Sequence, residues 1–167
     1  MSSDVYIGLG ANLGDCRKAL NSALILATAF SKIISVSRLY HSSPCGFSEQ
    51  PPFINAAARL STQLNPNELI GKLQEIEKLL GKKVIRKNGP RVIDLDLLLY
   101  GNFSLETKRL TIPHPRILDR DFVLLPLLDL NPNLHHPSWG SKKLETAILD
   151  LKECYVDEEP EDWELTV

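Results

Sequence analysis

Apolar and polar residues alternate in two rhythms along this chain, and the switches between them outline its elements. Val5-Tyr6-Ile7-Gly8-Leu9-Gly10 is a short apolar run ending in glycine, which predicts a strand closed by a turn. Asp15 can cap a helix, and Leu20, Ala23, Leu24, Ala27 and Phe30 then recur at helical spacing. Ile33 to Tyr40 is rich in β-branched residues and predicts a second strand. Ser42 to Pro52 contains Pro44, Gly46, Pro51 and Pro52 and reads as a loop. Across Phe53 to Leu64 the period drops to two: Ile54, Ala56, Ala58, Leu60, Thr62 and Leu64 share one face of a third strand. Asn65-Pro66-Asn67-Glu68 starts a helix, with a cap, an early proline and a glutamate three residues on. Its stripe is Leu69, Leu73, Ile76 and Leu80, with Gly81 as the stop. Lys82 to Pro90 is polar and basic and reads as a loop, and Val92 to Tyr100 is a fourth strand.

The order β-α-β-β-α-β predicts an α+β, ferredoxin-like sandwich with a loop-rich C-terminal extension. Helices would cover one face of an antiparallel sheet, leaving the other for a site. No internal repeat is visible. Residues 1–155 read as a single domain, and 156–167, with Asp157, Glu158, Glu159, Glu161 and Asp162, as a solvated acidic tail or linker.

Composition narrows the classes. At 167 residues and 43% hydrophobic, the chain can build its own core. Nineteen basic against 21 acidic residues leave a net charge of −2, which gives no support to a nucleic-acid surface. Cys16, Cys45 and Cys154 are odd in number and far apart, which predicts buried or half-buried free thiols. The first residues lack a basic and apolar leader, and Pro126 interrupts the apolar stretch near Val123. The expectation is no membrane span and a reducing, non-secretory compartment: the cytoplasm, with an organelle left open. Without a secretory signal the acceptor Asn102-Phe103-Ser104 is idle.

The sharpest chemistry lies in Pro90-Arg91-Val92-Ile93-Asp94-Leu95-Asp96-Leu97-Leu98-Leu99-Tyr100. Alternation turns Ile93, Leu95, Leu97 and Leu99 toward the core, and Asp94 and Asp96 away from it. The two carboxylates then stand about 7 Å apart on one face. Such a pair in an apolar strand is costly unless cations sit between, and hard oxygen donors suit Mg²⁺. A pair of solvent-facing aspartates is the alternative. Phe53 and Asn55 share the open face of their strand, which suits a flat heterocycle: stacking plus paired polar contacts. Gln74 and Glu77 lie on one helix edge. The stretch Arg109 to Phe122, with Thr111, His114 and Arg120, crowds phosphate-binding groups into a proline-stiffened loop, and Lys82, Lys83, Arg86 and Lys87 add charge nearby. Gly8-Leu9-Gly10-Ala11-Asn12-Leu13-Gly14 is no dinucleotide fingerprint, because its third glycine falls one place late. Its glycines predict a tight strand-to-helix turn.

Together, Gly8-x-Gly10-x-Asn12-x-Gly14-Asp15, Pro44-x-Gly46, Gln50-Pro51-x-Phe53-x-Asn55, Gly89-Pro90-Arg91-x-x-Asp94-x-Asp96 and Pro113-His114-Pro115-Arg116 resemble the 6-hydroxymethyl-7,8-dihydropterin pyrophosphokinase family, from about Val5 to Leu151. The resemblance implies transfer of pyrophosphate from ATP to the pterin hydroxymethyl group, in folate biosynthesis. It implies two Mg²⁺ ions on Asp94 and Asp96, with Arg91, Lys82 and Arg86 as further catalytic residues. ATP contacts would be Gln74, Glu77, Arg91, Arg109, Thr111, His114 and Arg120. Pterin contacts would be Ser42, Ser43, Cys45, Phe53, Asn55, Asp94 and Phe122. Asn88 stands where relatives often have tryptophan, and Pro115 where many have tyrosine. The implied partners are the two substrates, with no nucleic acid and no membrane, and with fusion to other folate-synthesis enzymes as an option. A nucleotidyltransferase or cyclase palm and a non-catalytic binding module are the competing classes. The first would ignore a pterin, and the second would not need both aspartates.

Overall fold

The computed structural model describes residues 2–46, 48–81 and 89–165. In chain order its elements are β1 (Ser3–Ala11), α1 (Cys16–Ala27), β2 (Ser31–Val36), β3 (Tyr40–Ser42), β4 (Phe53–Thr62), α2 (Pro66–Leu79), β5 (Asp94–Tyr100), β6 (Leu105–Glu106), β7 (Thr111–Ile112), α3 (Asp121–Leu130) and α4 (Leu144–Ala147). The main sheet is antiparallel, ordered β2-β4-β1-β5, with β3 also paired to β4. β6 and β7 form a separate small hairpin. No described helix is long and apolar enough to cross a membrane.

Local chemistry starts and stops the helices as expected. Asp15 caps α1 by accepting from the Lys18 amide at 3.2 Å. Asn65 and Glu68 close a reciprocal capping box on α2, at 2.9 and 3.2 Å. Both helices lie on one sheet face, where Val5, Ile7, Leu9, Leu20, Leu24, Ala58, Leu60, Leu69, Leu73, Leu95 and Leu97 form the larger core cluster.

Several expectations need correcting. The strand predicted over Ile33 to Tyr40 is two, β2 and β3. Between them the Ser37 hydroxyl accepts from the Ala57 amide at 2.8 Å, so a side chain stands in for the ladder. Leu99 does not face the helices: the β1–β5 register steps from Tyr6↔Leu99 to Ile7↔Leu97. Leu98 is the extra residue of this bulge, which turns Leu99 to the opposite face beside Tyr6. That second face is not open throughout, because α3 and α4 cover one end over Tyr6, Ala57, Leu98, Leu99, Leu124, Leu127 and Leu144. Gly8 and Gly10 lie inside β1, and Gly14, at φ +70°, is the glycine that serves the turn.

In the acidic run the side chains of Asp157, Glu158, Glu159 and Asp162 are exposed to solvent, as expected, but the backbone is docked. Leu39 and Glu161 exchange backbone hydrogen bonds at 2.8 and 3.0 Å, Ser42 bridges to Val156, and Trp163 and Leu165 pack on the larger core. Of the cysteines, Cys16 and Cys45 are half-buried as expected, whereas Cys154 is exposed.

Candidate active site

The uncovered end of the second face is built from three neighbouring strands. Asp94 of β5 is level with Gly10 of β1, which is level with Asn55 of β4. One step along, Asp96, Gly8 and Ala57 form the next row. The middle strand thus presents glycines between a wall of carboxylates and a wall ending in Asn55 and Phe53. A Cβ on Gly10 would lie 3.5 Å from Asn55 Oδ1 and 4.0 Å from the Phe53 ring, and one on Gly8 would lie 3.4 Å from Leu98. The bare backbone is therefore the floor of a cavity.

That cavity is lined by Ser42, Ser43, Cys45, Phe53, Asn55, Arg91, Asp94, Asp96, His114, Arg120 and Phe122, among others. Asn55 is buried, and its amide donates to the Tyr40 carbonyl at 3.1 Å and the Ser42 hydroxyl at 2.8 Å. Those two bonds turn Oδ1 toward Gly10, where it can accept from a ring N–H or amino group. The Arg120 guanidinium stands over the Phe122 ring, 5.7 Å from its centroid.

A second cavity adjoins the first. Gln74, Glu77, Asp94, Asp96, Thr107, Lys108, Arg109, Thr111 and His114 line it. Asp94, Asp96 and His114 belong to both, so the paired carboxylates stand where the two spaces meet. Arg109 donates to Gln74 at 3.4 Å. Glu77 is buried, and its Oε2 accepts from the Leu95 amide at 2.9 Å. It is thus a clamp between α2 and the edge strand that carries both aspartates.

His114 is held by two backbone contacts: its amide donates to the carbonyl of the bulge residue Leu98 at 2.9 Å, and its Nδ1 accepts from the Arg116 amide at 3.2 Å. Burial, and then the Arg120 charge, push the imidazole below its ordinary pKa. The ring is therefore neutral near pH 7, and with Nδ1 accepting, Nε2 carries the proton and can donate it to an oxyanion.

From sequence, Asn12 reads as part of a turn, but it is a junction. The residue is buried; its amide donates to Gln50 Oε1 and the Pro51 carbonyl, both at 2.9 Å, and its Oδ1 accepts from the Arg91 amide at 2.8 Å. Its backbone amide donates to the Arg91 carbonyl at 3.0 Å. Three segments around the cavity rim are joined through this one residue. An asparagine after glycine-rich chain is the signal that sequence offers, and its long-range partners leave no local trace.

Arg91 and Arg120, expected on the nucleotide side, line the aromatic cavity. Lys82 and Arg86 lie outside the described residues, as does Asn88. For a divalent cation the donor set fits: two carboxylates stand on one face at the cavity junction. Among the described residues no group of three or more His, Cys, Asp or Glu side chains could hold a metal. Such a site needs water and ligand oxygens to complete it, the habit of Mg²⁺ on phosphates rather than of a structural ion.

Comparisons with known proteins point to one family. The sequence model of the family described as 7,8-dihydro-6-hydroxymethylpterin-pyrophosphokinase matches residues 6–132. A 2-amino-4-hydroxy-6-hydroxymethyldihydropteridine pyrophosphokinase of Aquifex aeolicus is 41% identical over 133 residues, covering 80% of this chain and 83% of that protein. The folic acid synthesis protein fol1 of Pneumocystis carinii is 44% identical over 137 residues; the match covers 81% of this chain but only 18% of that much longer protein. Among solved structures, wild-type HPPK-DHPS of Plasmodium falciparum with pteroate superposes with a TM-score of 0.73 at 17% identity, covering 90% of this chain and 42% of that one. At that identity the likeness is one of fold.

Proposed function

Because the chain belongs to the 7,8-dihydro-6-hydroxymethylpterin-pyrophosphokinase family, we infer that it transfers the terminal pyrophosphate of ATP to 6-hydroxymethyl-7,8-dihydropterin in folate synthesis. The pterin hydroxymethyl oxygen bonds to the β-phosphorus, the bond from that phosphorus to the α–β bridging oxygen breaks, AMP leaves, and the hydroxyl proton is lost. The observation that carries this reading is the meeting of two unlike cavities at Asp94 and Asp96, one with Phe53 and Phe122 in its lining and one polar and without Phe, Tyr or Trp side chains. A transfer between two substrates needs that arrangement; a binding module does not.

In this reading Phe53 and Phe122 stack on the pterin, while Asn55 Oδ1 accepts from its amino edge and Ser42, Ser43 and Cys45 complete the wall. Gln74, Arg109 and Thr111 hold the nucleotide, and Glu77 keeps β5 seated. The neutral His114 donates from Nε2 to a phosphate oxygen. Arg91 and Arg120, reaching from the pterin side, place positive charge beside the pyrophosphoryl group as it crosses. Asp94 and Asp96 would hold Mg²⁺, as two ions, which when bound neutralise phosphate charge and lower the barrier to attack. The roles of Lys82 and Arg86 as further cations belong to the same proposal. The fold is read as a ferredoxin-like sandwich, extended by β3, the β6–β7 hairpin and α3. Residues 1–155 form the catalytic domain. The relatives include both proteins of similar length and longer folate-synthesis proteins, and the reaction proposed is the same in either setting.

The test is product identity. With ATP, Mg²⁺ and the dihydropterin, pterin-dependent AMP is expected. ADP would mean single-phosphoryl transfer, and no product from folded, ATP-binding protein would mean a different acceptor.

A further inference from the structure

Beyond the end of the family match at residue 132, the chain returns to the aromatic cavity and joins two of its walls. Asp121, the first residue of α3, is buried, and one carboxylate oxygen, Oδ2, accepts from the Tyr155 amide at 2.8 Å and the Val156 amide at 2.9 Å. The Tyr155 carbonyl in turn accepts from the Ser43 amide at 2.8 Å, and from the Ser43 hydroxyl at 3.3 Å. The Tyr155 ring meets Phe122 edge-on at 5.8 Å, and its hydroxyl donates to the Glu153 carboxylate. Phe122, Ser43 and Cys45 all line the cavity. The strap is held down further along, where Glu161 pairs with Leu39 through the backbone and with Arg17 through its carboxylate.

We infer that residues 155–161 are a positioning strap for the heterocycle site, and that Asp121 and Tyr155 set the Phe122 ring and the Ser43–Cys45 wall at their working separation. This rests on the pyrophosphokinase reading. Neither residue lines either of the two cavities described; each acts through the aromatic and polar groups that do. A carboxylate suits this position. At a helix N-terminus its charge is favoured, and it can take two amide protons that an apolar residue would leave without a partner.

The test uses the full chain, titrated with 6-hydroxymethylpterin in the presence of Mg²⁺ and a non-hydrolysable ATP analogue, and separately with the analogue alone. Asp121→Ala and Tyr155→Ala are expected to weaken pterin binding roughly tenfold, the scale of one to two lost hydrogen bonds or a lost ring contact, with the analogue's Kd changed less than about twofold. In turnover the pterin KM rises and kcat holds. Asp121→Asn, which keeps an acceptor oxygen, recovers most of the affinity. Folded variants that bind pterin as tightly as the parent overturn the proposal, and so does equal loss of both ligands, which would mark a merely structural role. Where Asp121→Ala does not unfold cooperatively, Tyr155→Ala decides alone, since it leaves the carboxylate and both amide bonds in place. A parent chain that binds the analogue but no pterin removes the pyrophosphokinase reading itself, and is seen before any variant is made.

Discussion

Gly8 and Gly10 do their work by what they lack. A side chain at either would rise into the space between Asp94, Asp96 and Asn55. Neither has the positive φ seen at Gly14, so a β-branched residue is compatible with the backbone there. Gly10→Val should therefore leave thermal unfolding near that of the parent and weaken pterin binding by at least about tenfold through steric filling, as read by calorimetry. The aspartates act by charge. Asp96→Ala should keep the fold and lower kcat by at least about 10²-fold, the scale of one removed electrostatic stabiliser, in a coupled assay for AMP. A folded variant with near-parent turnover would remove Asp96 from the proposed metal site. Both aspartates are legible in the sequence because strand alternation predicts side-chain direction. The glycine floor is not: a glycine's neighbours across the sheet depend on register, which the local sequence does not state.

Among the elements, β5 shows where local rules hold and where they stop. Alternation correctly turns Ile93, Leu95 and Leu97 inward and fails at Leu99, because a bulge at Leu98 resets the phase and leaves no mark in composition. The same bulge supplies the carbonyl that seats His114. α3 is obscured by Pro126, which argues against a helix locally, although the apolar face of the element over Leu98 and Leu99 outweighs that cost. The tail reads as solvated on its charge, and its side chains Asp157, Glu158, Glu159 and Asp162 are exposed, whereas its docking runs mostly through backbone groups and Trp163. Glu77 is the counterpart on the other edge of β5. The family resemblance implies a nucleotide contact for it, and its carboxylate also accepts from the strand's Leu95 amide. Glu77→Ala should cost about 1–3 kcal/mol in urea unfolding, because it leaves that buried amide without its acceptor; Glu77→Gln should cost less.

At the scale of the molecule, α3 and the sheet edge are fastened by one cluster. Asp129 accepts from the Arg38 side chain at 2.9 and 3.1 Å, from the Arg38 amide at 3.0 Å and from the Tyr40 hydroxyl at 2.8 Å. Burial acts to raise the Asp129 pKa, but the bonds from Arg38 and Tyr40 outweigh it and hold the carboxyl below its ordinary 3.8. A depressed carboxyl stabilises the fold above its unfolded pKa, and that gain is lost as pH falls through the folded value. Asp129→Asn should thus be less stable than the parent by about 1–2 kcal/mol from pH 7 down to about 4, with the gap closing below that in denaturant titrations.

The bonds of Asn12 have a bearing on how the molecule opens. They reach across 38, 39 and 79 residues of chain, so the rim of the site is stitched to the central strand rather than to its own neighbours in sequence. Amide hydrogens report such stitching: the Arg91 N–H, although it lies in a loop, should exchange with solvent as slowly as those of β1, through openings that involve the sheet. Asn12→Ala should release the Arg91 proton to rapid exchange while the β1 protons stay protected, separating the rim from the sheet as an independently opening unit.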